Sequence, residues 1–511
     1  MTCCWVLGVL GVLGPSRGAA APAPKPPNVV LVVADDLGFG EVGALSGATR
    51  ADRRIATPNL DGLAAEGMLF PHSYAGYTVC APSRTALMTG RHSGSFARHG
   101  LDGETLAPGQ QTTVAEVLQR AGYRTALFGK AAPLTAPARS GFDAFLGQVS
   151  QEACHDMYPA AIDDDRGAGA VPLPLNQGFP RPSRAACMAD PERFNYTTDV
   201  FVDAALAWLE QGSGGSHDDA APFFLYLGLT VPHAGGWGQD GAEDGQPVPS
   251  DLQYAETGAD WPEVERDHAA SITYLDARLG AVLAKLRDLQ AEDDTLVLFV
   301  SDNGAHLEGG HRLEFFNSTG GLRGHKRSMY EGGVRSPSLA RWPGRVPAGT
   351  VAATPWAFWD VLPTVAEAAG VPEAVPRGLD GVSFLPLLLR GDVPGPPGGP
   401  AEARLPGEEA LSAALGAARL FFFTGAGAWA AGGDQPAGGN ATAWAARVGD
   451  WKAVATACRG TPAADDPLEL YDLAADPAER RNLAAARPAV AHAVRRRVLA
   501  ARLSCACYQC G

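Results

Sequence analysis

The run "NVVLVVADD" (Asn28–Asp36) constrains the fold of this 511-residue chain more than any other stretch. It is short, continuous and β-branched. A strand buried on both faces of a parallel sheet reads this way. The chain then alternates. "TVAEVLQRAGYRTALFGK" (Thr113–Lys130) reads as a helix, a Gly stop and a strand, "FVDAALAWLE" as a helix and "APFFLYLGLT" as a strand. "ERDHAASITYLDARLGAVLAKLRDL" is a long amphipathic helix, followed by the strand "TLVLFVSDNG". This order predicts a doubly wound α/β domain, a mostly parallel sheet sandwiched by helices.

Past the Pro/Gly run "RGDVPGPPGGP" the texture changes to short strands ("LFFFTG", "TAWAARVGDWKAVATA", "LELYDL") and a final helix, "PAVAHAVRRRVLAARL". A smaller C-terminal α+β subdomain, a short antiparallel sheet plus a helix, is expected there. The expected boundaries are 22–390 for the large domain, 391–410 for a linker and 411–511 for the subdomain. Residues 1–21 form an apolar run ending in small residues, which reads as a signal peptide. It is too short to span a bilayer, and no later stretch looks transmembrane.

A net charge of −15 argues against a nucleic-acid partner, which needs a basic face. Only five lysines occur, Lys25, Lys130, Lys285, Lys326 and Lys452, so each calls for a reason. Of nine cysteines, Cys3 and Cys4 leave with the signal peptide. Setting Cys80 aside leaves an even set (Cys154, Cys187, Cys458, Cys505, Cys507 and Cys510), which suits disulfides in an oxidising compartment. The sequons at Asn195, Asn317 and Asn440 permit glycosylation there.

Chemistry gathers where strands end. Asp35 and Asp36 follow the first strand, and Asp302 and Asn303 follow "LVLFVSDN". Ligands of open α/β sheets bind outside the carboxyl ends of the strands. Three carboxylates collected there repel one another unless a cation binds among them. Oxygen donors select a hard cation, Ca²⁺ before Mg²⁺ in this reading. A lone strand-end Asp is more often a cap or turn residue, but two pairs in one chain favour a metal. "GFGEVG" (Gly38–Gly43) matches a dinucleotide-binding fingerprint, yet Asp35 and Asp36 precede it, where they would repel a pyrophosphate. Cys80 opens "CAPSRTALMTGRH"; its neighbourhood offers Arg84 rather than the histidine that usually activates a thiolate. Composition alone leaves a thiol and a modified residue both open.

"CAPSRTALMTGR" resembles the sulfatase signature Cys-x-Pro-Ser-Arg followed by Thr-Gly-Arg. "VVADDLGFGEVG" and "ATPNLDGLAAEGMLFPHSYA" before it, and "SDNGAHLEGG", "LRGHKRSMYEGGVRSP", "RVGDWKAVA" and "LELYDLAADPAERRNLA" after it, are similar to other parts of that family, within the alkaline-phosphatase superfamily. The pattern is nearest to the arylsulfatase A and N-acetylgalactosamine-6-sulfatase type. The resemblance implies that a formylglycine-generating enzyme oxidises Cys80 to formylglycine (3-oxoalanine), reading Pro82 and Arg84. It implies a hydrated aldehyde that attacks sulfur beside Ca²⁺ held by Asp35, Asp36, Cys80, Asp302 and Asn303. It also implies that Arg84, Lys130 and Lys326 bind sulfate and that His233, in "LTVPHAG", contacts it and protonates the leaving group. Ser150, in "FLGQVSQ", aligns loosely with a serine that touches sulfate. A small sulfated substrate (aryl, sugar or lipid) and a secreted or lysosomal location follow.

One position departs. The family's Gly-Lys-x-His motif reads "GKAAP" here, with Ala132 where a histidine serves as base in sulfate elimination. Three other readings compete: a formylglycine-dependent phosphonate or phosphodiester hydrolase of the same superfamily, a pseudoenzyme that binds sulfated ligands, and a cysteine hydrolase. Specificity is expected from the acidic loops Gln148–Pro191 and Gly235–Pro262, which hold no basic cluster and suit a small ester rather than a polyanion.

Overall fold

The computed structural model describes residues 25–47, 54–96, 105–165, 171–178, 181–212, 221–237, 245–392, 419–426, 441–459 and 467–503. The expected signal peptide, most of the linker, Asn440 and Cys505–Cys510 lie outside these residues.

The strand Asn28–Ala34 lies between Thr295–Ser301 and Phe223–Gly228 at the centre of a ten-stranded sheet, and is parallel to both. Outward from it the order runs through Phe223–Gly228, Arg124–Lys130, Ala144–Gln148, Ala161–Asp165 and Val171–Pro174 on one side. On the other it runs through Thr295–Ser301, Ser338–Arg341, Met68–Phe70 and Thr350–Val351. Ser338–Arg341, Ala161–Asp165 and Val171–Pro174 pair antiparallel with their neighbours, so the parallel core carries antiparallel margins.

Successive side chains of a strand point to opposite faces. Val29, Leu31 and Val33 pack with Tyr74, Leu87 and Trp359 on one face. Val30, Val32 and Ala34 pack with Phe201, Leu275 and Leu279 on the other. Both faces are covered, which is why the strand reads as an unbroken apolar run. The helix Glu263–Asp288 covers one face; acids in its first turn and bases in its last complement its dipole. The helix Val114–Arg120 starts at Thr113, whose hydroxyl accepts from Glu116 N while the Glu116 carboxylate accepts from Thr113 N.

The expected C-terminal sheet is present and antiparallel: Leu420–Ala426, Ala441–Val448, Trp451–Arg459 and Glu469–Asp472, with the helix Pro488–Leu503 against it. No helix among the described residues is long and apolar enough to cross a membrane.

The glycines of "GFGEVG" serve packing rather than phosphate binding. A Cβ on Gly40 would lie 2.0 Å from the Asn317 carbonyl oxygen. Glu41 reaches back to accept from Gly38 N at 2.6 Å.

The disulfide count needs correction. Cys154 and Cys187 are free and buried. Cys154 Sγ donates to the Ser150 carbonyl at 2.9 Å, and Cys187 Sγ lies 2.9 Å from Tyr158 Oη. An even number of cysteines says nothing about whether their Cβ atoms meet. Asn195 and Asn317 are exposed, as acceptors of glycosylation must be.

Candidate active site

Ala34 pairs with Ser301 in the parallel register, so two strand ends deliver Asp35, Asp36, Asp302 and Asn303 side by side. All four are fully buried. Asp36 N donates to Asp302 Oδ1 at 3.2 Å, and Asn303 Nδ2 donates to Asp36 Oδ1 at 2.7 Å. Asp36 adopts a left-handed backbone, φ 70°, which costs a non-glycine residue about 1 kcal/mol and is held by this packing.

Cys80 is the first residue of the buried helix Cys80–Thr89, which carries Arg84 one turn on and ends at the left-handed Gly90. Each carboxylate has its own cation. Lys130 Nζ donates to Asp35 Oδ2 at 2.7 Å, Lys326 Nζ to Asp36 Oδ2 at 2.8 Å, and Arg84 Nε to Asp302 Oδ2 at 2.8 Å. Lys326 also reaches Glu308 Oε2 at 2.9 Å and His233 Nε2 at 3.0 Å. His233 Nδ1 lies 2.6 Å from the Ala234 carbonyl; that nitrogen therefore carries the proton, and Nε2 is the bare acceptor.

The charges shift one another. Burial raises Asp36 to about 7 and Asp302 to about 6, with Asp35 adding to both. Burial also pushes Asp35 up, but Lys130 and its other cationic neighbours win and hold it well below the ordinary carboxylate range. Burial and Lys326 push His233 well down, so it is neutral. Burial raises Cys80, which keeps it a thiol and counts against a thiolate nucleophile.

Asp35 Oδ1 and Asn303 Oδ1 are buried without a hydrogen-bond partner. Orphaned oxygens among repelling carboxylates fit a hard cation. Asp35, Cys80 and Asp302 offer ligand atoms close enough to share one ion, as do Asp35, Asp36 and His233.

The structure gathers every residue expected here except Ser150, which is exposed and whose hydroxyl accepts from Ala153 N within its own turn. The next residue, Gln151, reaches the site instead, donating from Nε2 to Cys80 Sγ at 2.8 Å. Ala132 is buried beside the site. Sequence reasoning missed Gln151, Glu308 and His155. Glu308 stands five residues past Asn303 in a motif already singled out. His155 follows Cys154 in an acidic loop and carries no periodic signal.

A buried cysteine at a helix start thus lies among paired carboxylates and cations at the carboxyl edge of a parallel sheet, a setting that suits hydrolysis of an anionic ester. The Sulfatase family model matches residues 27–371, and the chain belongs to that family. It is 31% identical to steryl-sulfatase of Mus musculus over 92% of this chain and 81% of that one. It is 33% identical to arylsulfatase A of Homo sapiens over 71% and 68%. N-acetylgalactosamine-6-sulfatase of Canis lupus familiaris is 30% identical over 82% and 76%. Among solved structures, Ps i-CgsB in complex with a neocarrahexaose superposes at TM-score 0.68 with 22% identity, covering 94% of this chain and 93% of that one. A phosphonate monoester hydrolase of Silicibacter pomeroyi superposes at 0.58 with 20% identity, covering 94% and 96%. Both share the fold.

Proposed function

We propose that the chain hydrolyses a small sulfate ester of aryl, sugar or lipid type by a formylglycine-dependent mechanism, with Cys80 converted during maturation by a formylglycine-generating enzyme. Asp35, Asp36, Asp302 and Asn303, with the converted Cys80 side chain, would hold Ca²⁺. When bound, that ion supplies positive charge that activates the nucleophile and polarises the sulfate. The observation that carries this reading is the one-to-one set of carboxylates and cations around Cys80, with two buried oxygens left over.

Arg84, Lys130 and Lys326 present fixed positive charge to the sulfate oxygens, where negative charge grows in the transition state. Gln151 orients the Cys80 side-chain atom. His233, with its tautomer set by Ala234, and the Lys326 ammonium 3.0 Å from its Nε2 move a proton to the leaving oxygen. The secretory pathway, ending in secretion or the lysosome, is the compartment this maturation suits.

Matched aryl sulfate, phosphate and phosphonate esters test the reading, with and without a chelator. Turnover of the sulfate above the other two, lost on chelation and restored by Ca²⁺, is expected. Preference for the phosphonate would instead assign the chain to the phosphonate hydrolases that share its fold.

A further inference from the structure

The proposed reaction needs two proton transfers. One goes to the departing alkoxide. The other leaves the free hydroxyl of the sulfated hydrate as the aldehyde reforms. The structure places two imidazoles at this site. His155 ends the short turn Ala153–His155, and its ring stacks on His233 with centroids 3.6 Å apart and planes 9° apart. Each ring faces a lysine: Lys326 Nζ is 3.0 Å from His233 Nε2, and Lys130 Nζ is 3.4 Å from His155 Nε2. Each lysine is anchored in turn by an aspartate at the strand end, Asp36 or Asp35.

The two rings are not equivalent. His233 is engaged at both nitrogens, through Ala234 O and Lys326, and its Nε2 lies 3.5 Å from both Asp36 and Glu308. His155 is partly exposed, and its 3.4 Å contact with Lys130 is long for a hydrogen bond, so its Nε2 lone pair is only weakly committed. The same segment carries Gln151, whose amide sits 2.8 Å from Cys80 Sγ. The segment Gln151–His155 thus places an amide on the Cys80 side chain and an imidazole beside Lys130. Ala132, two residues past Lys130, offers a buried methyl and no acceptor.

We propose that His155 is the proton acceptor of the sulfate-releasing step, a role that rests on the formylglycine reading above. Its Nε2 takes the proton of the free hydroxyl on the sulfated carbon. The O–H electron pair becomes the second bond of the aldehyde. The bond from that carbon to the sulfate oxygen breaks, and its pair leaves with sulfate. No electron is gained or lost, and the partly exposed ring returns the proton to water. The negative charge of a bound sulfate group favours the protonated ring and so strengthens the base.

The test uses His155→Ala and His155→Gln in the full chain, with a chromogenic aryl sulfate, rapid quenching and intact-protein mass spectrometry. The proposal expects a burst of up to one equivalent of phenol, then turnover at least about 100-fold slower than wild type, with sulfated protein accumulating. Added imidazole should restore part of the steady rate in His155→Ala and none in His155→Gln. Burst amplitude counts folded, competent enzyme, so a loss of folding is read separately from a loss of base. A normal rate overturns the proposal, as does a slow rate in wild-type-like folded protein with neither burst nor sulfated species. Wild-type protein that turns over while Cys80 remains a thiol would sink the formylglycine reading itself, and the role of His155 with it.

Discussion

Two buried ionic clusters, one around Cys80 and one around Lys452, differ in how their charges are closed. The cluster around Lys452 joins the two parts of the molecule. Lys452 Nζ lies 2.9 Å from both Glu331 Oε1 and Glu479 Oε1. Tyr74 Oη and Arg335 Nε donate to Glu331 Oε2, and Glu331 N donates to Glu479 Oε2 at 2.6 Å. Each charge there is met by protein. The cluster around Cys80 has as many cations as aspartates, yet it leaves Asp35 Oδ1 and Asn303 Oδ1 without partners. Burial alone therefore does not mark a functional charge. Three of the five lysines are buried: Lys130 and Lys326 stand in the cluster around Cys80, and Lys452 ties Glu331 to Glu479.

The largest expected effect breaks the open cluster chemically. Cys80→Ser removes the modifiable side chain and should lower sulfate-ester turnover on the order of 10⁶-fold, as loss of a covalent nucleophile does elsewhere, with thermal unfolding little changed. Breaking the closed cluster should do the reverse. Lys452→Met leaves the buried Glu479 carboxylate without its cation, while Glu331 keeps Arg335, and should cost roughly 3–5 kcal/mol in denaturant unfolding, with kcat per folded molecule intact at low temperature. A Lys452→Met protein that kept its stability but lost kcat would erase the distinction.

Ca²⁺ should separate the clusters again. Chelation should abolish turnover and lower stability, and free Ca²⁺ at 100 times its Kd should restore about 2.7 kcal/mol, read as a concentration-dependent Tm. Lys452→Met should show the same Ca²⁺ increment, because Glu331 and Glu479 lie outside the set of residues proposed to hold the ion.

The smallest effect concerns pH. Burial, with Arg335 and Arg447 adding to it, lowers His72 to about 4 from an ordinary 6.5. The folded state thus holds a neutral ring that the unfolded chain would protonate. Its contribution is fully present above about pH 6.5 and is lost as the pH falls toward 4. Stability measured across that window should fall less steeply in His72→Gln than in wild type.

The parts of this molecule set by periodicity were legible in the sequence. The central strand, the Thr295–Ser301 strand and the C-terminal antiparallel sheet read directly, because burial on two faces or on one leaves a pattern in the residues. The strand-end acids read for the same reason: a strand end fixes where Asp35 and Asp302 fall. Arg84 came with the helix that Cys80 starts. The loop following Gln148 has no such ruler. There the expectation fell on Ser150 while it is Gln151 that contacts Cys80, and His155 gave no signal, because its approach to Lys130 depends on a turn that no pattern specifies. Cysteine parity misled for a related reason, since a count carries no distance.

The central claim is that Cys80 works as an aldehyde rather than a thiol. Peptide mass spectrometry across Cys80 in protein from its native source, measured on fractions of differing specific activity, tests it most directly. The account predicts that CH₂SH is replaced by CHO and that turnover rises in proportion to the converted fraction. Active protein carrying only the unmodified thiol would contradict it.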